Sequence, residues 1–312
     1  MDNKKLKNYV LIQNLANGLV SPFMSFLAAV IGVPSIGISL VSSASSFFSG
    51  VVQVPLRRTS RIEQLLKLST LLLAILWFTM AFIAYGNPTL YLITYIAIAI
   101  VGGANSFAWA LIMERMSRGS RGQVLATYAF YGSIGGLLAT LMTGLIVGSN
   151  YALMHYVFIT SAFLILMNVI NIWNMEPMDP ECQVTDRLLS TIRNNRKLIR
   201  FLGRFLLITF PLSYALANNV YVIYVANTIA GFTNSASNVA YISFVYDNSE
   251  DRRTAVSLYN LFYGIGTLIG SLMSGALVTV VSNYLGLRNG VRYMLLSDAT
   301  ARALIATLYM SV

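Results

Sequence analysis

Residues 263–278 read YGIGTLIGSLMSGALV and closely repeat an earlier stretch of the chain, GSIGGLLATLMTGLIV at residues 132–147. At an offset of 131 residues the match begins upstream, where Arg121 falls on Arg252, and it continues to the end of both stretches. Threonines of the earlier copy fall on serines of the later one, so small polar positions match as well as apolar ones. A repeat of this length predicts two structurally related halves.

The composition is that of a membrane protein. The 312 residues are 56% hydrophobic and only 10% charged, and the apolar residues form long runs with almost no charge inside them. A soluble core of this size would show amphipathic alternation, which these runs lack. The basic segment 1–9 is followed by apolar residues to about 31 without a small-residue cleavage site. We therefore expect a retained first membrane span and not a removed signal peptide.

Ten apolar runs are each long enough to cross a bilayer as a helix. They lie near residues 9–31, 35–56, 65–86, 89–113, 122–148 and 151–174, and then near 204–218, 219–244, 254–282 and 290–312. The polar stretch between the two groups predicts a linker between domains. The sequence thus predicts an all-α integral membrane protein with an N-terminal six-helix half (1–174), a cytoplasmic linker (175–202) and a C-terminal four-helix half (203–312).

Basic residues collect on one side of the predicted membrane. The segments that contain Lys4, Arg57, Arg115 and Arg252 are rich in Lys and Arg, whereas the turns GVPS, YGNPT and GSN contain none. Such an excess marks cytoplasmic loops. We therefore predict a multi-pass protein of the cell membrane with both termini in the cytoplasm. The net charge of +10 then indicates topology and contact with anionic lipid of the bilayer, and no nucleic-acid partner.

Two further features, besides the repeat, carry a resemblance to a known family. A second match, at an offset of 129 residues, places GGANSFAWA (102–110) on GFTNSASNV (231–239), so the two halves repeat in parallel. The segments SRGQVLATYAFYGSIGGLLATLMTGLIV (120–147) and PLRRTSRIEQLLK (55–67) carry a glycine-spaced fifth helix and a basic loop between spans two and three. In these respects the chain resembles the major facilitator superfamily (MFS) of secondary transporters. An acid that the family has in the basic loop is absent here.

The resemblance implies a two-half helical bundle that moves a solute by alternating access through a central cavity. Members usually have twelve spans, and the second half of this chain resembles spans nine to twelve, so the seventh and eighth spans are missing. The resemblance also implies that the cavity is lined by the first, fourth, seventh and tenth helices. Polar residues on the matching helices are the candidate cavity residues: Gln13, Asn14, Asn17, Asn105, Trp109, Asn227, Asn234 and Asn238. Alternatively, these amides hydrogen-bond between helices.

Charged residues provide two further candidate sites. Asp298 and Arg302 lie four residues apart inside the last predicted span, where they form either an intramembrane ion pair or a site that couples transport to a proton or ion. At the cytoplasmic ends of spans, a gate of ion pairs is predicted among Arg57, Arg58, Arg61, Glu114 and Arg115. A solvated loop is the alternative interpretation of that group.

The sequence therefore favours a secondary-active or facilitative transporter of a small solute. The alternative is a membrane protein without transport activity, either a decayed or truncated transporter or a partner subunit. No enzyme activity or cofactor is predicted, since the sequence shows no nucleophile and base pair, metal cluster or phosphate loop. No metal is predicted either, because one cysteine and one histidine do not suffice for a structural zinc site.

The repeated glycines predict faces where helices approach closely. Such faces are Gly132, Gly136, Thr140 and Gly144 in the first copy, and Gly266, Gly270 and Ser274 in the second. Because the partner helix of the first copy belongs to the missing pair, we predict a lipid-facing groove there. The groove leads either to a homo-oligomer that forms through it or to a loosely held second half.

Overall fold

The computed structural model describes residues 3–117, 121–147, 150–173, 245–246, 249, 251–286, 289–297 and 300. All regular structure in these ranges is helical. The predicted linker, the predicted spans at 204–218 and 219–244, and the residues from 301 onward lie outside the described part of the chain. So do the candidate site residues Asn227, Asn234, Asn238, Asp298 and Arg302.

The principal α-helices of the described chain are α1 (Asn3–Val20), α2 (Met24–Val30), α3 (Ser35–Leu56), α4 (Ile62–Thr79), α5 (Pro88–Met116), α6 (Arg121–Val147), α7 (Met154–Trp173) and α8 (Arg252–Leu285). A 3-10 turn at Ser21–Phe23, which contains Pro22, joins α1 to α2. A π-helical turn at Met80–Ala84 extends α4, and a 3-10 turn at Tyr151–Leu153 precedes α7.

Seven helical stretches of the described chain are long and apolar enough to cross a bilayer: Lys4–Val30, Ile36–Leu56, Ile62–Ala84, Pro88–Met116, Gly122–Val147, Tyr151–Trp173 and Arg252–Leu285. Six of them coincide with the spans predicted for the first half, and the seventh coincides with the span predicted at 254–282. The all-helical, multi-pass architecture is therefore confirmed. The total of ten spans stays a prediction, since the other three lie wholly or partly outside the described residues.

Turn chemistry sets where the helices begin. Gly32 and Gly86 adopt φ of +85° and +88°, in the left-handed region that favours glycine, and each follows an apolar helix. Asn87 then caps α5, because its Oδ1 accepts hydrogen bonds from the backbone N–H groups of Thr89 and Leu90, both at 3.1 Å. These turns lie at the end of the bundle that we call the neutral end. The opposite end, which holds Lys4, Arg57, Arg115 and Arg252, is the basic end.

The outward faces of the helices are apolar. On α7, for example, Phe163, Met167 and Ile170 are spaced by four and three residues and are 54%, 57% and 75% exposed. Exposing this stripe to water would cost free energy, whereas the hydrocarbon core of a bilayer is a favourable environment for apolar side chains. The side chains of the opposite face, among them Phe158 and Ile165, are fully buried against the other helices.

The first six spans pack as one bundle. Helix α1 lies between α6 and α7, α4 packs on α5 and α7, and α3 packs on α5. One apolar cluster in this bundle surrounds Met24 and Trp77 toward the neutral end, and a second surrounds Tyr9 and Phe107 toward the basic end. Helix α8 joins the bundle mainly through α3.

The predicted groove on α6 is wrong, because α1 covers that face. A Cβ added at Gly18 of α1 would lie 2.6 Å from the carbonyl oxygen of Gly136, and the Thr140 hydroxyl donates a hydrogen bond of 3.1 Å to the Gly18 carbonyl. Gly132 lies against Asn14, where an added Cβ would come within 2.9 Å of Nδ2. The small residues therefore bring α6 close to α1 within one chain, and they leave no free glycine face for the predicted homo-oligomer.

The contact between α3 and α8, which we call the seam, extends from Ser39 to Arg57. The backbone of α3 at Gly50 meets that of α8 at Asn260, and Gly264 of α8 meets Ser46. Nearer the neutral end, the hydroxyls of Ser42 and Ser271 lie 2.7 Å apart. The contacting face of α8 is thus formed by Gly264, Ser271 and Gly275.

The predicted small face of α8 is offset from the observed one. An added Cβ at Gly270 would meet no atom within 4 Å, and Ser274 is exposed. The four-residue spacing of glycines in α8 is therefore not the spacing of its contact with α3, which follows steps of seven and four residues from Gly264 to Gly275.

Candidate functional site

A cavity of about 390 Å³, the polar cavity, lies between the helices of the first half. Its described lining residues are Tyr9, Val10, Gln13, Asn14, Asn17, Ser21, Ser45, Ser49, Leu73, Trp77, Tyr95, Ile98, Ala99, Gly102, Asn105, Ser106 and Trp109. All the candidate cavity residues of the first half are among them. The structure therefore brings together side chains that are far apart in sequence, as in the contact of Tyr9 with Asn105, which are separated by 96 residues.

Asn105 is buried and its amide is bonded to the protein on both sides. Its Oδ1 accepts a hydrogen bond of 3.1 Å from the Tyr9 hydroxyl. Its Nδ2 donates to the hydroxyl oxygens of Ser69 at 3.1 Å and Thr70 at 2.9 Å. This amide therefore joins α1, α4 and α5, and it also fixes the position of the Tyr9 ring at the wall of the polar cavity.

The three amides on α1 differ in how far the protein satisfies them. The Oε1 of Gln13 accepts a hydrogen bond of 3.3 Å from Nδ2 of Asn168 on α7, and Nδ2 of Asn14 donates one of 2.9 Å to the Val10 carbonyl of its own helix. Asn17 is exposed to the cavity and makes no hydrogen bond to the described residues. Asn17 is thus the best placed of the three to bind a solute or water.

A second cavity of about 550 Å³, the aromatic cavity, lies toward the basic end. It is lined by Val10, Asn14, Ser106, Trp109, Ala110, Met113, Leu125, Tyr128, Ala129, Gly132, Ser133, Gly136, Val245, Tyr246, Val256, Tyr259 and Asn260. These residues come from α1, α5 and α6 on one side and from 245–246 and α8 on the other. The aromatic cavity therefore lies between residues of the first and the second predicted half.

The two cavities adjoin along the axis of the bundle. Helix α5 runs from the neutral to the basic end, and it lines the polar cavity from Tyr95 to Trp109 and the aromatic cavity from Ser106 to Met113. Asn14, Ser106 and Trp109 line both. Together the cavities form a series of two spaces, polar first and aromatic second, with a shared boundary at the middle of α5.

None of the described residues that line either cavity is an Asp, Glu, Lys or Arg. The described chain also contains no group of three or more His, Cys, Asp or Glu side chains that could hold a metal ion. The polar side-chain groups of the described lining are amides, hydroxyls and the indole N–H groups of Trp77 and Trp109. Such a lining can hydrogen-bond a neutral solute, and its described residues offer an ion no opposite full charge against the cost of desolvation.

Charged residues gather at the basic end, where they connect α8 to the first half. Arg252 forms an ion pair with Glu114 of α5, and the Glu114 side chain is only 7% exposed. Nearby, the Arg253 guanidinium donates a hydrogen bond of 3.0 Å to the Thr59 carbonyl, and that of Arg57 donates one of 3.4 Å to the Thr254 hydroxyl. These contacts hold the basic ends of α3, α5 and α8 together.

The contacts at the basic end differ in part from those expected for the gate, which itself stays a prediction. Glu114 pairs with Arg252 of α8, and Arg115 pairs with Glu63 of α4 at 3.8 Å. Arg58 and Arg61 are exposed, and Arg61 bonds Gln64 one turn away at 3.5 Å. These two arginines extend into the loop beyond the packed helix ends, which accounts for their exposure.

Sequence reasoning missed a polar bridge between the halves. The buried amide of Gln53 on α3 donates to Ser49 Oγ at 2.9 Å and accepts a hydrogen bond of 2.6 Å from Nδ2 of Asn260 on α8. Tyr246 was missed as well, and its hydroxyl donates to the Ala110 carbonyl at 2.9 Å. Gln53 carries the same signal as Asn105, an amide inside an apolar run, and could have been selected on that ground.

Comparison with known proteins rests on structure alone, since no family model and no curated protein sequence matches the chain. A variant of the nucleoside transporter NupG aligns with a TM-score of 0.66 at 13% identity, over 99% of this chain and 98% of that one. The human organic anion transporter MFSD10 (TETRAN) aligns with a TM-score of 0.58 at 11% identity, over 97% and 98%. The E. coli fucose:proton symporter FucP aligns with a TM-score of 0.53 at 14% identity, over 97% of each chain.

Identities this low establish the fold alone, and they do so over nearly the whole chain. The predicted helical fold is thereby confirmed: the chain has the fold of these transporters. The absence of the seventh and eighth spans stays a prediction.

Proposed function

We propose that this chain carries a small uncharged solute across the membrane by alternating access. The observation that supports this most is the series of two cavities whose described lining holds no charge, the second of which lies between the two predicted halves. A pathway through a helical bundle needs such polar groups, because a solute that sheds water must find hydrogen-bond partners. The fold neighbours are transporters and not enzymes, which is consistent with this proposal.

The charge of the lining favours a neutral solute. Among the fold neighbours, the nucleoside transporter and the fucose symporter act on compounds that are mainly uncharged, and the organic anion transporter acts on anions. An anion in either cavity would have to leave its hydration shell without a cationic side chain from the described lining. We therefore propose that the solute of this chain is a neutral compound.

The contacts at the basic end support a gate. The ion pair of Glu114 with Arg252 and the bond of Tyr246 with Ala110 lie beside the aromatic cavity, on the side away from the polar cavity. In this conformation they close the space between α5, α8 and residues 245–246 at that end. With the basic end in the cytoplasm, as the charge distribution favours, the gate is cytoplasmic.

A non-transporting membrane protein is the second candidate. The observation that favours it is the bonding of the predicted cavity amides: Asn105 makes its hydrogen bonds within the protein, and Gln13 is bonded to Asn168. Amides of this kind often serve helix packing alone. Asn17 and Ser106, which make no hydrogen bond to the described residues, weigh against this candidate.

The proposal is tested by uptake into liposomes. Purified protein is reconstituted and supplied with a labelled nucleoside, a labelled neutral sugar and a labelled organic anion of similar size. We expect protein-dependent, saturable uptake of at least one neutral compound and none of the anion. Protein-free liposomes and the lipid-facing variant Tyr156→Leu are the controls. Folded protein that takes up none of the compounds would favour the non-transporting candidate, and selective uptake of the anion would overturn the assignment of a neutral solute.

A further inference from the structure

The aromatic cavity has a lining that transport of a small polar solute does not require. Among the described residues, four aromatic side chains border it: Trp109, Tyr128, Tyr246 and Tyr259. The Trp109 ring lies 5.2 Å from the ring of Tyr9 and 5.9 Å from that of Tyr128, measured between centroids. These distances are those of interacting aromatic pairs, so Tyr9, Trp109 and Tyr128 form a continuous aromatic surface at the boundary of the two cavities.

The volume and polar groups of this cavity are those of a binding site. A space of about 550 Å³ falls within the usual size of small-molecule sites, about 300–1,000 Å³. At its boundary with the polar cavity, Ser106 is exposed and makes no hydrogen bond to the described residues. A hydroxyl in mid-bundle that the described protein leaves without a partner is available to a bound molecule.

We propose that the aromatic cavity binds an uncharged solute through a flat aromatic ring. Trp109, Tyr128 and Tyr259 contact the ring, and Asn14 and Ser106 bind the polar part of the same solute at the boundary with the polar cavity. This inference rests on the proposed function and narrows it, since it names the chemical class of the solute.

The electrostatics of the lining distinguish the classes of ring. An anionic ring would meet the negative faces of Trp109 and the tyrosines with no cation among the described lining residues. A cationic ring is attracted to such faces, but the described lining also lacks an acid, and the nearby carboxylate of Glu114 is already paired with Arg252. A neutral ring loses the least hydration on entry and retains the stacking contacts.

Four ribosides that differ only in the ring test the inference. Binding of labelled uridine (neutral ring), orotidine (anionic ring), nicotinamide riboside (cationic ring) and methyl riboside (no aromatic ring) is measured on the unaltered protein in nanodiscs. We expect uridine to bind and the other three to bind at least about tenfold more weakly. Methyl riboside lacks the stacked ring, and the two charged ribosides lose more hydration on entry without an opposite charge from the described lining. Equal binding of all four, or a preference for a charged riboside, would overturn the inference.

Substitutions of the lining residues test whether the ring of the solute binds in the aromatic cavity. We expect Tyr128→Leu and Tyr259→Leu each to weaken uridine binding about two- to tenfold, because each removes one ring contact. Tyr128→Phe and Tyr259→Phe keep the ring and should retain more of the binding than the leucine variants do. Tyr156→Leu removes a ring that is 64% exposed on the outer face of α7 and is the matched control. Losses that are the same for leucine and phenylalanine would contradict a ring contact, and the comparison of ribosides does not depend on the variants folding.

Uptake measurements separate this inference from the proposed function. Liposomes that take up methyl riboside or a sugar as well as they take up uridine would leave transport standing and remove the aromatic site. Ring-selective binding in nanodiscs without uptake of any compound would leave the site standing and remove transport.

Discussion

At the scale of single residues, Asn105 and Asn17 have opposite roles although both are amides on the polar cavity. Asn105 connects three helices through Tyr9, Ser69 and Thr70, whereas Asn17 makes no hydrogen bond to the described residues. A satisfied buried amide contributes to stability, and an exposed one in a cavity is available for binding.

We therefore expect Asn105→Leu to destabilise the protein by about 1–3 kcal/mol, because the buried Tyr9 hydroxyl loses its acceptor. The measurement is thermal unfolding in detergent. Asn17→Leu is the matched variant, with an unchanged melting temperature and reduced uptake of the solute. If Asn17→Leu were the destabilising change and Asn105→Leu were not, the assignment of the two amides would be reversed.

At the scale of helices, the approach of α6 to α1 depends on particular glycines. An added Cβ at Gly135 would meet the Leu11 carbonyl and lie 3.2 Å from the Leu15 nitrogen, all backbone atoms of α1. At the adjacent Gly136 the nearest such atom is the Asn14 carbonyl oxygen at 3.9 Å, an ordinary contact. Neighbouring glycines on one helix thus differ sharply in the space around them.

This difference predicts opposite outcomes for two alanine substitutions. Gly135→Ala should lower stability by about 1–3 kcal/mol, as overpacking of a tight contact does. Gly136→Ala should have little effect or stabilise slightly, because alanine is the better helix former. Melting temperatures of the two variants, measured side by side, test the α1–α6 contact. Equal destabilisation would show that the two helices pack with a different face.

A third prediction concerns the ion pair that joins α5 to α8. Arg252 is 33% exposed and Glu114 only 7%, so the cost of breaking the pair should fall between the values for surface and buried pairs, about 0.2–1 and 3–5 kcal/mol. Glu114→Arg places two cations together and should lower both stability and uptake. The double variant Glu114→Arg with Arg252→Glu restores opposite charges and should recover part of each. Additive losses in the double variant would show that the pair makes no contribution.

The sequence predicted helices well and their partners poorly. Apolar runs bounded by Gly32 or by Asn87 follow local rules of length and turn chemistry, so the six spans of the first half could be located. The partner of Glu114 could not be predicted, because Arg252 is 138 residues away and the charges of several loops were equally available. Periodicity identified a small face on α6, but the helix that covers a face depends on the arrangement of the whole bundle.

For the candidate site, the sequence predicted the type of residue and the structure added the roles. The amides of α1 and α5 do line one cavity, as Asn14 and Asn105 illustrate. Their hydrogen bonds could not be read from sequence, since a buried amide and a solute-binding amide look alike there. The aromatic cavity was not predicted, because Tyr128, Tyr246 and Tyr259 are ordinary aromatic residues of apolar helices until the fold brings them together.

At the scale of the whole molecule, the asymmetry between the two ends of the bundle predicts its orientation. Single cysteines are introduced into a Cys182-free background at Arg61, Asn87 and Asn150, which are all exposed. We expect Asn87→Cys and Asn150→Cys to react with an impermeant reagent from outside the cell. Arg61→Cys should react only after the membrane is opened, because basic loops stay in the cytoplasm. Labelling of Arg61→Cys in intact cells would reverse the orientation.

The polar groups in the seam between α3 and α8 decide whether water or lipid enters when these two helices separate. The surfaces that would separate there carry the hydroxyls of Ser42 and Ser271, the amides of Gln53 and Asn260, and glycine backbone. Lipid chains cannot hydrogen-bond such groups, whereas water can. We infer that water from the adjoining solution enters the seam when α3 and α8 move apart, and that lipid is excluded. The free energy of separating α3 from α8 would then depend on water activity. Osmolytes lower the water activity and would therefore favour the state in which the two helices are in contact.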